Sequence, residues 1–588
     1  MALDARTQTD IFNLERVEVL KGPSGTLFGG QMAGYGGVVN NVTKKPFESF
    51  RGEVTYTAGS FGLNRFTADV NSPLNADRTA LMRVNVFGHS ENSFQDYGFL
   101  RNAGAAVSLA FKPNDKTTVR FDADVTIPTK NLNGYTRPTK GLTASSIRDL
   151  HMDFKRSLSS DDIGTPRSTV NAMAEIERKL SDHWISRTSY QHGQSGEKGS
   201  IFFVTYFLDN ENIQRRFRIF ENYQIVTDNI QQNFTGDFKI GSVRNRMVVG
   251  LDYFSRTLHN QSMQPIFQIY DTVAINDPNG WTPIAKSRIN DIRQEKGQPS
   301  TNDITGEKTY GAYFSDVVNM TDNLMAMLSL RVDRFERQSS RHNGVEADDG
   351  DGQTQFSPKL GLVYQPVKDK VALFASYLNG FSNPAPSLNS ETETYTYWKP
   401  EQANQWEGGV KLDLLDGKLS STISYYNIEV KDKVRSLGDG SSVQDGTQQS
   451  KGIEFDIIAN PLPGLNIVAG YGYNDNTFTK DTEANQGKRA PWTPVNVANF
   501  WLSYRLMTGT AKGLGAGIGG NYAGKTYFDV DELFSVPSST LFSATVFYDQ
   551  PKYRIGLKCN NLSNEHYWNF YGQPQKPREV LLNVSYKF

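Results

Sequence analysis

Glu579–Phe588, EVLLNVSYKF, closes the chain and decides how the rest of it is read. Val580, Leu582, Val584, Tyr586 and Phe588 fall on one face, and Asn583, Ser585 and Lys587 oppose them. Side chains of a strand alternate between its faces, so this is a strand with one apolar and one polar side. A flat apolar strand exposed to water is an aggregation hazard. The apolar face therefore requires a covering of protein or of lipid.

The same alternation recurs upstream. Val54, Tyr56 and Ala58 oppose Glu53, Thr55 and Thr57, and Met82, Val84 and Val86 oppose Arg83 and Asn85. It returns at Val119–Val125, Leu419–Tyr425, Ile453–Ile457 and Phe542–Tyr548. Short turns such as Lys112–Lys116 and Asn460–Gly464 alternate with long polar stretches, Thr126–Thr169 and Gln261–Lys308. Short turns at one end and long loops at the other describe a transmembrane antiparallel β-barrel. Lipid offers no partner for backbone N–H and C=O groups, so strands that cross it must close into a cylinder. The fold expected is all-β.

Composition removes other classes. The net charge of −1 gives no basic field for nucleic acid. One cysteine, Cys559, excludes an internal disulfide, and the seven histidines show no metal-binding grouping. No apolar run reaches the roughly 20 residues of a helical span, which says nothing against a barrel whose strands meet lipid on one side only.

Near the other end, Leu14–Pro46 reads LERVEVLKGPSGTLFGGQMAGYGGVVNNVTKKP. Three linked pieces, Glu15–Pro23, Leu27–Gly29, and Gly36–Asn40 running into Lys44–Pro46, resemble the end of the plug domain of TonB-dependent outer-membrane receptors, and the ferric siderophore receptors above all. Ser450–Phe455, Ala490–Pro494 and Asn560–Tyr567 resemble barrel segments of the same family, so the likeness covers nearly the whole chain. The terminal aromatic strand, Val580 to Phe588, is similar to the family's barrel-assembly signal. The resemblance implies residues 1–46 as a plug remnant and 47–588 as a barrel of about 22 strands in a bacterial outer membrane. That leaves roughly 25 residues for each strand with its connection, which suits the plugged transporter class. It implies ferric siderophore transport, without enzymatic chemistry, and no resident cofactor, iron being carried within the ligand. The implied partners are the siderophore, a TonB-type energising complex, the barrel-assembly machinery and outer-membrane lipid.

Most of a family plug precedes this motif, whereas only thirteen residues do here. MALDARTQTD has neither a basic n-region nor an apolar h-region. The expectation is a fragment, a mature form or a misplaced start, lacking the TonB box and incompetent for energised uptake. A passive pore, or a receptor for haem, vitamin B12 or carbohydrate, is the alternative.

Period two places Glu454 on the polar face, since Ile453, Phe455 and Ile457 take the lipid side, and Glu407 likewise beside Gln405 and Lys411. By resemblance these two glutamates pair with Lys21 of the plug. The bland alternative is two wetted lumen residues. Ligand-contact candidates are the loop aromatics Tyr135, Phe202, Phe203, Tyr206, Phe267, Tyr270, Tyr395, Tyr397, Trp398, Trp568, Phe570 and Tyr571. Aromatic rings offer a bulky chelate large contact area at low entropy cost, although an interfacial girdle would claim many of them. Gly519–Thr526 matches the phosphate-loop pattern GxxxxGKT letter for letter. No helical period follows it, so nucleotide binding is rejected. The acidic run Glu346–Gly352 lacks the full calcium-loop spacing and reads as a solvated loop.

Overall fold

The computed structural model describes the chain except for residues 1–9, 24–28, 30–33, 132–135, 265–266, 278–280, 298, 347, 390–393 and 438–440. Twenty-two antiparallel strands form a closed barrel, running from Arg51–Gly59 round to Glu579–Lys587. Closure is made by those two strands, paired in register from Glu53↔Lys587 to Gly59↔Leu581. The carboxy-terminal backbone completes the ladder, Gly52 N–H donating to Phe588 O at 2.7 Å and Phe588 N–H returning to Gly52 O at 2.9 Å. No strand edge is left in the ring, as lipid requires.

Faces follow the two-residue period. Tyr425 and Ile453 are registered partners on adjacent strands, 51% and 48% exposed on the outer surface. Their neighbours Ser424 and Glu454 are also partners and point into the lumen. The phosphate-loop look-alike lies on strand Leu514–Ala523 and the bridge that follows it, with no helix after it.

One end carries tight connections, from two residues (115–116) to eight (506–513), and the other carries the long ones. The wall is uneven in height. Tyr553–Asn560 has 8 residues and Glu579–Lys587 has 9, whereas Trp184–Phe207 has 24 and Asn212–Ile240 has 29. A bilayer is crossed by roughly 9–11 strand residues, so the long hairpin stands far above it at the loop end. Phe202, Phe203 and Tyr206, expected in a loop, therefore lie on a strand. Within the polar stretch 261–308, Lys286–Glu295 forms an α-helix because Ile289 and Ile292, one turn apart, bury against Phe203 and Phe217.

Residues 10–23, 29 and 34–46 lie inside the barrel. Strand Leu14–Lys21 pairs antiparallel with Gly37–Thr43, and both ends of this ribbon are fastened to the wall. The exit into the first barrel strand is pinned by Asn71, 1% exposed, which accepts from Phe47 N–H and donates to Phe47 O and Ser49 O.

Placing a charge on the outer face tests its contact with lipid. Ile453→Arg is expected to cost roughly 2–4 kcal/mol in equilibrium unfolding from vesicles if it sits near the midplane; an unchanged midpoint would put that face outside the hydrocarbon.

Candidate functional site: the luminal ribbon and the loop mouth

The ribbon touches opposite sides of the ring. On one side, Asp10 accepts a bidentate bond from Arg65 (2.6 and 2.9 Å), and Lys44 pairs with Asp69 at 2.9 Å. Phe12 packs on Phe87 with centroids 4.6 Å apart, and both rings are buried. These wall residues belong to the second and third strands, Leu63–Pro73 and Ala80–Asn92.

The far contacts fall on the eleventh to sixteenth strands. Lys21 Nζ donates to Glu454 Oε2 at 2.6 Å and lies 3.6 Å from Asp456 Oδ2. Tyr35 Oη donates to Glu401 Oε2 at 3.0 Å. Between them Gly22 has φ +81° and so close an approach that a Cβ would sit 2.1 Å from Gln405 Oε1. Pro23 meets Gly380, where a Cβ would lie 2.8 Å from the proline ring. Gly29 abuts Arg331, which is 1% exposed and clamped by Asp252 and Asp333. The third and fourteenth strands stand eleven apart in a ring of 22, so the ribbon spans the full diameter.

The Glu407 expectation is corrected here. Among the described residues Glu407 makes no ion pair; it accepts from Gln405 Nε2 at 3.1 Å. The second carboxylate at Lys21 is Asp456, two residues from Glu454 and therefore on the same face. That face was legible in the alternation, but the family motif drew attention to the other strand. Burial works against the charge of Lys21, yet the carboxylates of Glu454 and Asp456 outweigh it and raise its pKa. A raised lysine pKa means that the pairing is fully present below the usual lysine range. It is lost only as pH climbs through the raised value.

At the mouth the candidate aromatics divide. Phe203 is 3% exposed, in a cluster with Phe217, Met263, Ile289 and Ile292. Tyr270 packs against that cluster, accepts Ala285 N–H at 3.0 Å, and carries the Arg215 guanidinium over its ring. Trp568 packs on a second core, which gathers Phe207 from the long hairpin and Ile147, Ile275, Phe528 and Phe534 from three connections. These three rings hold the roof together. Phe202 lies 6.4 Å from Phe267, and Tyr206 carries Arg216 over its face at 4.3 Å. Trp398 donates Nε1–H to Ser387 at 3.0 Å. Tyr395, Tyr397, Phe570 and Tyr571 are each more than a third exposed, the last two rings packed on each other with centroids 4.1 Å apart. Tyr135 and the Leu27–Phe28 pair of the plug motif lie outside the described residues. Sequence reasoning missed Trp492, 48% exposed, at φ +60° and 6.5 Å from Tyr571. Nothing but its bulk beside Pro491 and Pro494 marks it in the sequence.

The acidic loop is satisfied by its own chain: Asp348 accepts from Ser340 and Gly350, and Asp351 pairs with Arg337 at 2.7 Å.

A family model described as TonB dependent receptor-like, beta-barrel matches residues 44–562. The metal-pseudopaline receptor of Pseudomonas aeruginosa strain UCBPP-PA14 is 26% identical over 606 residues, covering 98% of this chain and 81% of that receptor. The ferrichrome outer membrane transporter/phage receptor of Escherichia coli strain K12 is 23% identical, covering 98% and 79%. Among solved structures, the ferric preacinetobactin receptor of Acinetobacter baumannii superposes with a TM-score of 0.83 at 20% identity, covering 99% of this chain and 86% of that one. The closed form of the ferric-catecholate import receptor of E. coli K12 gives 0.82 at 20% identity, covering 98% and 87%.

Hydrogen exchange separates the two carboxylate assignments. The paired substitution Glu454→Gln with Asp456→Asn is expected to speed exchange of the Leu14–Lys21 amides several-fold, and Glu407→Gln to leave them near wild type. The reverse order would return the pairing to Glu407.

Proposed function

The chain belongs to the TonB-dependent receptor family, and we propose that it imports ferric siderophores across the bacterial outer membrane. The observation that carries this reading is the ribbon formed by the described residues between 10 and 46, fastened across the full diameter of the lumen at Asp10, Lys21 and Tyr35. A general pore has no use for a wedge anchored on both walls. A receptor that must obstruct a wide barrel and release one ligand at a time does. Of the relatives named above, one is a metal-pseudopaline receptor and another a ferrichrome outer membrane transporter/phage receptor, which supports a metal chelate as cargo and the outer membrane as the setting.

In this reading the ribbon is the plug portion of the molecule and residues 47–588 are its barrel. The loop end faces outward and captures the chelate, with Tyr395, Tyr397, Phe570 and Tyr571 as contact residues and iron as cargo inside it. Lys21 with Glu454 and Asp456 is the latch that work from an inner-membrane energising complex must release. The latch is the weaker fastening. The side chain of Lys21 is 53% exposed, whereas Arg65 and Asp10 are 21% and 11% exposed. Exposed ion pairs contribute little individually, so the far end lets go before the near end. The carboxy-terminal strand, apolar outside and ending in Phe588, suits recognition by barrel-assembly machinery.

Titration of the purified protein with ferric hydroxamate, ferric catecholate and metal–pseudopaline chelates tests the reading. One class is expected to bind saturably, and Tyr395→Ala with Tyr397→Ala to weaken it about tenfold, in keeping with the energy of aromatic contacts. Binding that rises linearly with every chelate would mark a passive pore.

A further inference from the structure

The luminal ribbon takes its hydrogen bonds and ion pairs from the second, third, fourteenth and sixteenth strands. The last five strands of the barrel carry a different inner surface. On Leu514–Ala523 the inward positions are glycines in succession, Gly515, Gly517 and Gly519. They leave room for two rings that lie flat over the backbone. A Cβ at Gly519 would fall 2.3 Å from the Trp501 ring, one at Gly517 2.7 Å from it, and one at Gly515 2.4 Å from Phe547. Their outward neighbours, Leu514 and Ile518, are 42% and 45% exposed, which fixes the inward sense of the glycines.

Cations surround this aromatic floor. Arg554 and Lys558 alternate with the outward Ile555 and Leu557, and both are exposed to the lumen. The Arg554 guanidinium lies over Phe547, 4.9 Å from its centroid. Asp549, the carboxylate of this lower wall, is taken by Arg505 at 2.9 Å and faced by Lys587 at 3.8 Å. Glu53, on the first strand, stands across from Lys587, and Glu579, at the loop end, is engaged by Lys576. Among the described residues, Arg554 and Lys558 make no ion pair.

Two cations without ion pairs beside half-buried indole and phenyl rings form a surface for an anion with flat or apolar parts. We propose that this wall, built on Trp501, Phe547, Arg554 and Lys558, is a transit subsite for anionic metal chelates on their way from the mouth to the turn end. The proposal rests on the import reading and extends it to a stretch of inner wall with which the described ribbon residues make no hydrogen bond or ion pair. It gives the glycine run a physical purpose: a side chain at Gly517 or Gly519 would lift the indole from the wall.

Trp501 reports on its own surroundings, because subtracting the fluorescence of a Trp501→Phe variant isolates it. The full chain in detergent, at low salt where screening is weak, is titrated with iodide and with caesium, and then with ferric citrate as the anionic chelate probe. With each quencher's constant divided by its constant for free N-acetyltryptophanamide, iodide is expected to exceed caesium at Trp501 about sevenfold, as a local potential of about one kT requires for opposite unit charges. Ferric citrate should quench it saturably, and potassium chloride should reverse that effect. In Arg554→Gln with Lys558→Gln the iodide preference should fall to about one, and the single variant Lys558→Gln should lie between. Equal quenching by the two ions overturns the proposal, as does a preference that survives the double substitution. A preference for iodide without any response to ferric citrate also overturns the chelate subsite. These readings involve no transport and no outer-loop binding, so their failure leaves the import reading to be judged on its own titration.

Discussion

Hydrocarbon cannot hydrogen-bond, and every feature of this protein is arranged around that fact. Each strand that crosses the membrane must find both neighbours within the chain, so the first strand has to meet the last. The pairing of Arg51–Gly59 with Glu579–Lys587 meets that demand, and the backbone exchange between Gly52 and Phe588 carries it to the final residue. Once the ring is closed, alternation sorts the side chains without further instruction. Ile453 meets lipid because Glu454 meets water.

Closure creates a problem of its own: a ring of 22 strands encloses a wide aqueous lumen. The chain answers it with the ribbon Leu14–Lys21 and Gly37–Thr43 and the described residues that flank it. Their two fastenings differ in kind. The near one, around Asp10, Phe12, Lys44 and Asn71, combines buried rings, a bidentate arginine and a pinned backbone. The far one consists of a half-exposed lysine, a tyrosine hydroxyl and glycine-permitted close approaches. A segment held firmly on one side and lightly on the other turns about the firm side. Such an asymmetry suits a gate.

Much of this was legible before the structure. Period-two alternation at Val580–Tyr586 and around Ile453 identified strands and faces, because strand geometry is local. The rejection of the phosphate loop was equally local, since a strand with inward glycines cannot also begin a helix. Pairings across the lumen were less accessible. Asp456 carries the same alternation signal as Glu454, but only the path of the ribbon brings Lys21 to both. The mouth was least legible. Phe203, Tyr270 and Trp568 look the same in sequence as Tyr395 and Tyr571, yet the first three are consumed by cores assembled from several loops. Those cores depend on contacts between residues hundreds of positions apart, and on a hairpin that rises far beyond the bilayer.

The central claim is that the amino-terminal ribbon bridges the lumen to the far wall. Zero-length carbodiimide coupling in native outer membranes, followed by peptide mass spectrometry, examines it directly, because an amide forms only between a lysine and a carboxylate already in contact. The account predicts an isopeptide joining Lys21 to Glu454 or to Asp456. Lys21 recovered uncoupled and freely acetylated, while Lys44 still couples to Asp69, would contradict it.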